Sequence, residues 1–278
     1  PETLRIAFYV GAALMLCTLS LNVILAPDGQ VIKTRNQDNL RMIIRSVALN
    51  KPLLLFMTAF IFAGTSFGMW TGLLFIYLDG YLNLADKIAT ILLLGNIAGL
   101  LSIPLWLKLI QSTNKSLALV TGMLFYTLLL AGCLFVKPGI SWLLSMLFVG
   151  GVYTGFACLT VAAPAMLGDI ADYGVLKFKK NRTATYFAVF TLFYKVTLGL
   201  GSGLALAIAG HFEFDAAITT QTDTAIFGLR LAFIILPVLC ALIALIFIFR
   251  TPINEHRHNI IRRRIESRSA NNRVEVFQ

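Results

Sequence analysis

Apolar residues occupy this chain in seven long blocks, 6–25, 52–78, 88–110, 116–136, 142–167, 183–209 and 225–249, separated by polar breaks. Each has the length, about 20 residues, that carries an α-helix across the hydrocarbon of a bilayer. None alternates apolar and polar positions as a barrel strand does, and lipid offers exposed backbone no partner. The pattern therefore predicts an all-α membrane protein of seven transmembrane helices. The breaker cluster Ala26-Pro27-Asp28-Gly29 ends the first block and opens the longest internal polar connection. Inside that connection, 36–50 places Leu40, Ile43, Ile44 and Val47 on one helical face with Arg41 and Arg45 beside it. This predicts a short helix lying along the headgroups or an ordinary linker helix, and the pattern fits both.

The other six blocks are joined by short connections at 79–87, 111–115, 137–141, 168–182 and 210–224. The organisation is thus a single span (1–25), a middle loop (26–51), a six-helix bundle (52–250) and a basic tail (251–278). One span, a long connection and six compact spans is the layout of the second half of a twelve-helix transporter cut just before its sixth helix. Transporters of that kind place two six-helix halves around a midplane site, each half built from three-helix inverted repeats. No such repeat is legible along the chain by eye. The chain opens on Pro1 rather than Met and shows no signal peptide, so it is expected to be a piece of something longer.

Composition agrees with a lipid solvent: 58% of residues are hydrophobic and 13% charged, against about 25% charged in soluble domains. Charge adds direction. One set of connections carries Lys33, Arg35, Arg41, Arg45 and Lys51, then Lys108 and Lys115, then Lys177, Lys179, Lys180 and Arg182, then the tail from Arg250 to Arg273. The opposite set has few cations near span ends, and 211–224 carries Glu213, Asp215 and Asp223 with no Lys or Arg. The positive-inside rule then predicts a chain that starts outside and ends inside. The net charge of +10 is accounted for by membrane topology, with no nucleic-acid partner required. Cys17, Cys133, Cys158 and Cys240 stand singly within blocks, without metal spacing, as small apolar filler.

The candidate chemistry centres on Lys195. It lies about thirteen residues into an apolar block, about 20 Å along the helix, where a charge is expensive and by default marks a pathway or site. At 100° per residue, Ala188, Thr191, Gly199 and Ser202 fall within about 40° of its direction, whereas Phe193, Leu200 and Leu204 point elsewhere. Its stem is too deep to snorkel to water, so it is expected to face a cavity or a partner carboxylate. Three roles remain open: a structural ion pair, a cavity-lining group that attracts a carboxylate or polar solute, or a Schiff-base lysine as in retinal receptors. The last would be expected in the final span rather than the sixth.

A second cluster is the connection after the fifth block. Asp169 and Asp172 lie three apart, share a helix face, and can meet Lys179, Lys180 or Arg182 to latch helix ends in one conformation. The alternative is a solvated loop whose cations only fix topology. Gly174 after Tyr173 suits a helix end there. Glycines recur every four residues at 64, 68 and 72, and in the pairs 95/99, 151/155 and 199/203, which lets helix backbones pack closely or slide. Trp70, Tyr77, Tyr153 and Tyr194 are candidates for stacking on a ligand ring or for plain packing. Asn96 is a buried amide that needs a partner. His211, His256 and His258 lie at or beyond span ends with no buried acid–base pair, which argues against an enzyme.

Asp169-x-x-Asp172-Tyr173-Gly174, a basic stretch ending at Arg182, the aromatic Tyr186 and a lysine 23 residues after the second Asp together resemble a known signature. It is that of helices ten and eleven in the glycoside–pentoside–hexuronide:cation symporters, the melibiose-permease-like branch of the major facilitator superfamily. Asn50-Lys51-Pro52-Leu53 and Ile103-Pro104-Leu105-Trp106 resemble the same family, and the likeness covers nearly the whole chain as its carboxy-terminal half. The resemblance implies helix six plus the six-helix C-terminal bundle of a major facilitator fold, working by alternating access in a bacterial inner membrane. It implies symport of a sugar-like solute with Na+ or H+, no bound cofactor, and a missing amino-terminal half as partner. Lys195, Thr191, Ser202, Tyr153, Trp70 and Asn96 would line the solute and cation site. Asp169, Asp172, Tyr173 and Arg182 would form the cytoplasmic gate. Val175 and Thr183 stand where the family often has acids, and Arg182 is displaced by one position, which bears on cation type and gate strength. A seven-helix receptor is the alternative from another class.

Overall fold

A computed structural model describes residues 2–25, 39–215, 218 and 221–251. The breaker cluster, Lys33, Arg35, the basic tail, His256 and His258 lie outside the described residues. The chain divides into two units, Pro1–Asn39 and Leu40–Gln278. The first contributes α1 (Glu2–Leu25), whose described side chains are exposed nearly throughout. The second holds α2 (Leu40–Ala48), α3 (Lys51–Ile76), α4 (Ile88–Ser112), α5 (Lys115–Gly132), α6 (Trp142–Phe178), α7 (Thr183–His211), α8 (Asp223–Arg230) and α9 (Leu236–Arg250). Among the described residues, seven helical stretches are long and apolar enough to cross a membrane: α1, α3 to α7, and α8 to α9 taken together.

The helices start where polar caps interrupt the apolar blocks. Asn50 accepts the Leu53 N–H at 3.2 Å with Pro52 in the first turn of α3, and Asn114 accepts the Leu117 N–H at 2.7 Å to start α5. Ser141 and Thr222 do the same for α6 and α8. One end differs from expectation. The fifth span does not stop at 167: α6 continues through Asp169, Asp172 and Gly174 to Phe178, where Lys179 takes a left-handed conformation with φ 55°. The connection of 168–182 shrinks to 179–182. Gly174 is not a helix end but a contact, since a Cβ there would fall 2.6 Å from Cε2 of Tyr186 on α7.

Packing in the second unit has a regular plan. α3 and α6 are central; α3 packs chiefly on α7 and α9, α6 chiefly on α4 and α5, and α5 meets α9 behind them. Exchanging α3 with α6, α4 with α7 and α5 with α9 leaves that plan unchanged. The contacts therefore carry the three-helix repeat that the residues hide, because packing partners persist where side chains have diverged. Near the middle, Ser66 donates to the Pro237 carbonyl at 2.7 Å and shares a 2.9 Å hydrogen bond with the Tyr126 hydroxyl, joining α3, α5 and α9.

The α3–α7 seam is built on glycine. A Cβ on Gly64 would run into the Thr197 hydroxyl, one on Gly68 into the Leu198 carbonyl, and one on Gly72 into Ser202. These backbones touch only because side chains are missing. Gly199 and Gly203 have open space instead. Two π-helical turns, Tyr77–Tyr81 after α3 and Leu231–Ile235 before α9, interrupt spans where periodicity predicted plain helix. They meet through the stacked rings of Tyr77 and Phe233, 4.1 Å apart. Tyr77 also donates toward the carbonyls of Cys133 and Val136, and Arg230 toward that of Leu134, capping the end of α5.

Candidate functional site

The surface of α7 separates into stripes. Toward the bundle it presents Tyr186, Thr197, Gly201, Ala205 and Ala209, all buried except the half-buried Tyr194 between them. Well away from that side lie large exposed apolar residues, Leu192, Phe193, Val196, Leu200 and Leu204. Between the two runs an exposed stripe of Ala184, Ala188, Thr191, Lys195 and Gly199. Lys195 is thus exposed in this unit, twelve residues or about 18 Å from the start of α7, and no hydrogen bond or ion pair joins it to the described residues. An ammonium set among small residues and a hydroxyl, rather than in the leucine-rich stripe, suits a face that meets water or another protein surface.

The other candidates separate. Thr191 shares the exposed stripe with Lys195, whereas Ser202 is drawn into the α3 seam opposite Gly72. Across α6, Asn96 and Tyr153 line one groove of about 360 Å3 between α4 and α6. Trp70 is wholly buried behind it, its ring 5.2 Å from that of Tyr153 and 6.3 Å from that of Phe233, and so supports the groove wall. Its indole N–H has no hydrogen-bond partner among the described residues. Asn96 is exposed, with its amide donating to the Leu92 carbonyl at 2.8 Å. A second groove, about 210 Å3, opens between α3, α6 and α7 and is walled by Phe60, Phe190 and Tyr194. Both grooves include Thr160, an exposed residue of α6 that the apolar pattern around it concealed.

At the basic end of the bundle, Asp169 is buried and accepts a 2.7 Å ion pair from Lys115 at the start of α5. Lys115 had been read only as a topology charge. Its place one residue after the Asn114 cap, in the first turn of a helix that packs on α6, is the signal for its structural role. Asp172 and Tyr173 are half-buried on α6, and Arg182 is buried at the head of α7. The four gate candidates therefore share one end of the bundle, and the pair with Lys115 adds a third helix to the cluster. Lys177 lies above the Tyr173 ring at 5.9 Å and donates to the Leu49 carbonyl at 2.7 Å, fastening α6 to the turn between α2 and α3.

A bundle of apolar helices with a polar front and a charged end is architecture for moving solutes, and comparison with known proteins agrees. Residues 1–255 match the family described as MFS/sugar transport protein. The chain belongs to that family of transporters. This places the chain in a multi-pass membrane family of transporters rather than among enzymes, and it displaces the receptor alternative. Among curated relatives, the chain is 29% identical over 175 residues to the uncharacterized symporter sll1374 of Synechocystis, covering 61% of this chain and 32% of the relative. It is 24% identical over 238 residues to the uncharacterized symporter YnaJ of Bacillus subtilis, covering 81% of this chain and 48% of the relative. The chain thus spans less than half the length of either relative, 32% of one and 48% of the other.

Proposed function

We propose that the chain is the carboxy-terminal half of a secondary transporter that carries a glycoside or related sugar together with Na+ or H+ by alternating access. The observation that carries the reading is Lys195: a cation deep in α7, without a hydrogen bond or ion pair among the described residues, on a stripe of small residues that suits close approach by a second bundle. The names of the two relatives support symport, and the family description supports a sugar. In this reading an amino-terminal six-helix half faces α3, α4, α6 and α7, and solute and ion bind between the halves. Their joint occupancy permits rocking between outward and inward states. The cluster of Asp169, Asp172, Tyr173, Arg182 and Lys115 holds the cytoplasmic side, with the basic end inside a bacterial inner membrane.

The test is counterflow in vesicles carrying the whole transporter, against a panel of glycosides with and without a Na+ or H+ gradient. Lys195→Ala is expected to abolish coupled accumulation while the protein inserts normally. Accumulation unchanged by the substitution removes Lys195 from the site, and no gradient dependence for any solute removes symport.

A further inference from the structure

The two grooves on the front of α6 meet at one residue, and their linings differ in kind. Leu100 and Thr160 line the α4–α6 groove, and each stands four residues before a proline inside its helix, Pro104 in α4 and Pro164 in α6. A proline has no N–H to give, so neither carbonyl receives the usual i+4 hydrogen bond. The Thr160 hydroxyl donates to the Ala157 carbonyl at 2.8 Å and keeps its lone pairs. Asn96 spends an amide hydrogen on Leu92 and keeps its carbonyl oxygen. With the Tyr153 phenol, the groove offers an acceptor-rich set and no cation in its lining. That chemistry suits neutral hydroxyl donors rather than a carboxylate or sulfate. Its volume, about 360 Å3, is many times that of a water at about 30 Å3 and leaves room for an organic solute.

The α3–α6–α7 groove is its opposite. Phe60, Phe190, Tyr194, Leu159, Ala163 and Pro164 line it with Thr160 at its edge. Phe190 and Tyr194 are stacked at 6.1 Å, and Phe60 meets Phe190 edge-on at 5.2 Å. Thr160 lines both, so the apolar slot and the acceptor-rich groove are neighbours on the front of α6. We propose that the front of α6 is a two-part site for one amphipathic solute, a sugar or polyol whose hydroxyls bind between α4 and α6 and whose apolar aryl or alkyl group lies against Phe60, Phe190 and Tyr194. The proposal rests on the transporter reading and specifies its substrate.

The experiment compares paired methyl and 4-nitrophenyl glycosides of glucose, galactose and xylose, by equilibrium binding and by uptake, in membranes carrying the whole transporter. For the sugar that binds, the nitrophenyl compound is expected to bind about tenfold tighter than the methyl compound, the scale of burying an aromatic ring. Phe190→Ala should bring the nitrophenyl affinity down to the methyl value. Pro164→Ala returns an N–H to the Thr160 carbonyl, so it should strengthen the helix yet weaken both ligands about fivefold, the worth of one hydrogen bond. Thr160→Val should do likewise and Thr160→Ser should not. Equal affinities for the two ligands in the unaltered protein, or an equal loss of both in Phe190→Ala, overturn the two-part site and leave the apolar slot to a lipid chain or a neighbouring helix. Binding unaffected by Pro164→Ala overturns the acceptor groove. If none of the glycosides binds or is taken up, the sugar-transport reading fails together with this one.

Discussion

At the residue scale, two lysines play different parts: Lys115 helps to hold the bundle and Lys195 does not. Lys115 and Asp169 form an ion pair in which the carboxylate is mostly shielded and the ammonium partly exposed. Half in and half out of water, the pair is worth more than a surface pair and less than a fully buried one, so Lys115→Met is expected to lower stability by about 1–3 kcal/mol. Thermal melting in detergent checks it, and the double variant Lys115→Met/Asp169→Leu should recover part of the loss. Lys195 was legible as a cation on a stripe of small residues from depth and helical spacing alone. Lys115 was not, because a basic residue at a span end satisfies the topology rule whether or not it has a carboxylate to meet. Thr160 was missed for a different reason. A hydroxyl within an apolar block is unremarkable until Pro164, four residues on, shows that its carbonyl is released as well.

At the scale of elements, apolar run length gave every span in the described residues, and the boundaries held wherever an Asn, Ser or Thr cap marked them. Position 167 misled because Gly168, Asp169, Asp172 and Gly174 read as a connection. In the structure Asp169 is neutralised by Lys115 and Gly174 makes room for Tyr186, so α6 proceeds. The π-helical turns carried no sequence signal, since an extra residue in one turn leaves an apolar block apolar. Two predictions belong here. Gly68→Ala drives a methyl into the Leu198 backbone and should cost about 1–3 kcal/mol of stability, while Gly199→Ala, facing open space, should be tolerated in melting experiments. On α7 the stripes are expected to differ in solvent: with Cys17 and Cys240 replaced by Ser, a cysteine at Ala188 should react with a water-soluble maleimide, and one at Leu200 should not. Equal reactivity at both positions would remove the distinction between the stripes.

At the scale of the molecule, the bundle is tied in its middle by the Ser66 hydroxyl, which serves helices α3, α5 and α9 together. Ser66→Ala leaves the Tyr126 hydroxyl and the Pro237 carbonyl short of a partner in a water-poor interior. Its expected cost is about 1–3 kcal/mol, read as a lower melting midpoint, with Tyr126→Phe costing less because Ser66 keeps its bond to Pro237. The exchange plan of α3–α4–α5 with α6–α7–α9 was invisible along the chain, since it lives in which helices touch and not in which residues do the touching. The seam between α3 and α7 follows from that plan, and it has a mechanical property. Its three glycines are spaced every four residues, so shifting α7 along α3 by that interval, about 6 Å, again sets bare backbone against two of the three positions. What holds the joint at its present setting is then the interlock of Phe60 and Phe56, one and two turns before Gly64, with Phe190 and Tyr194.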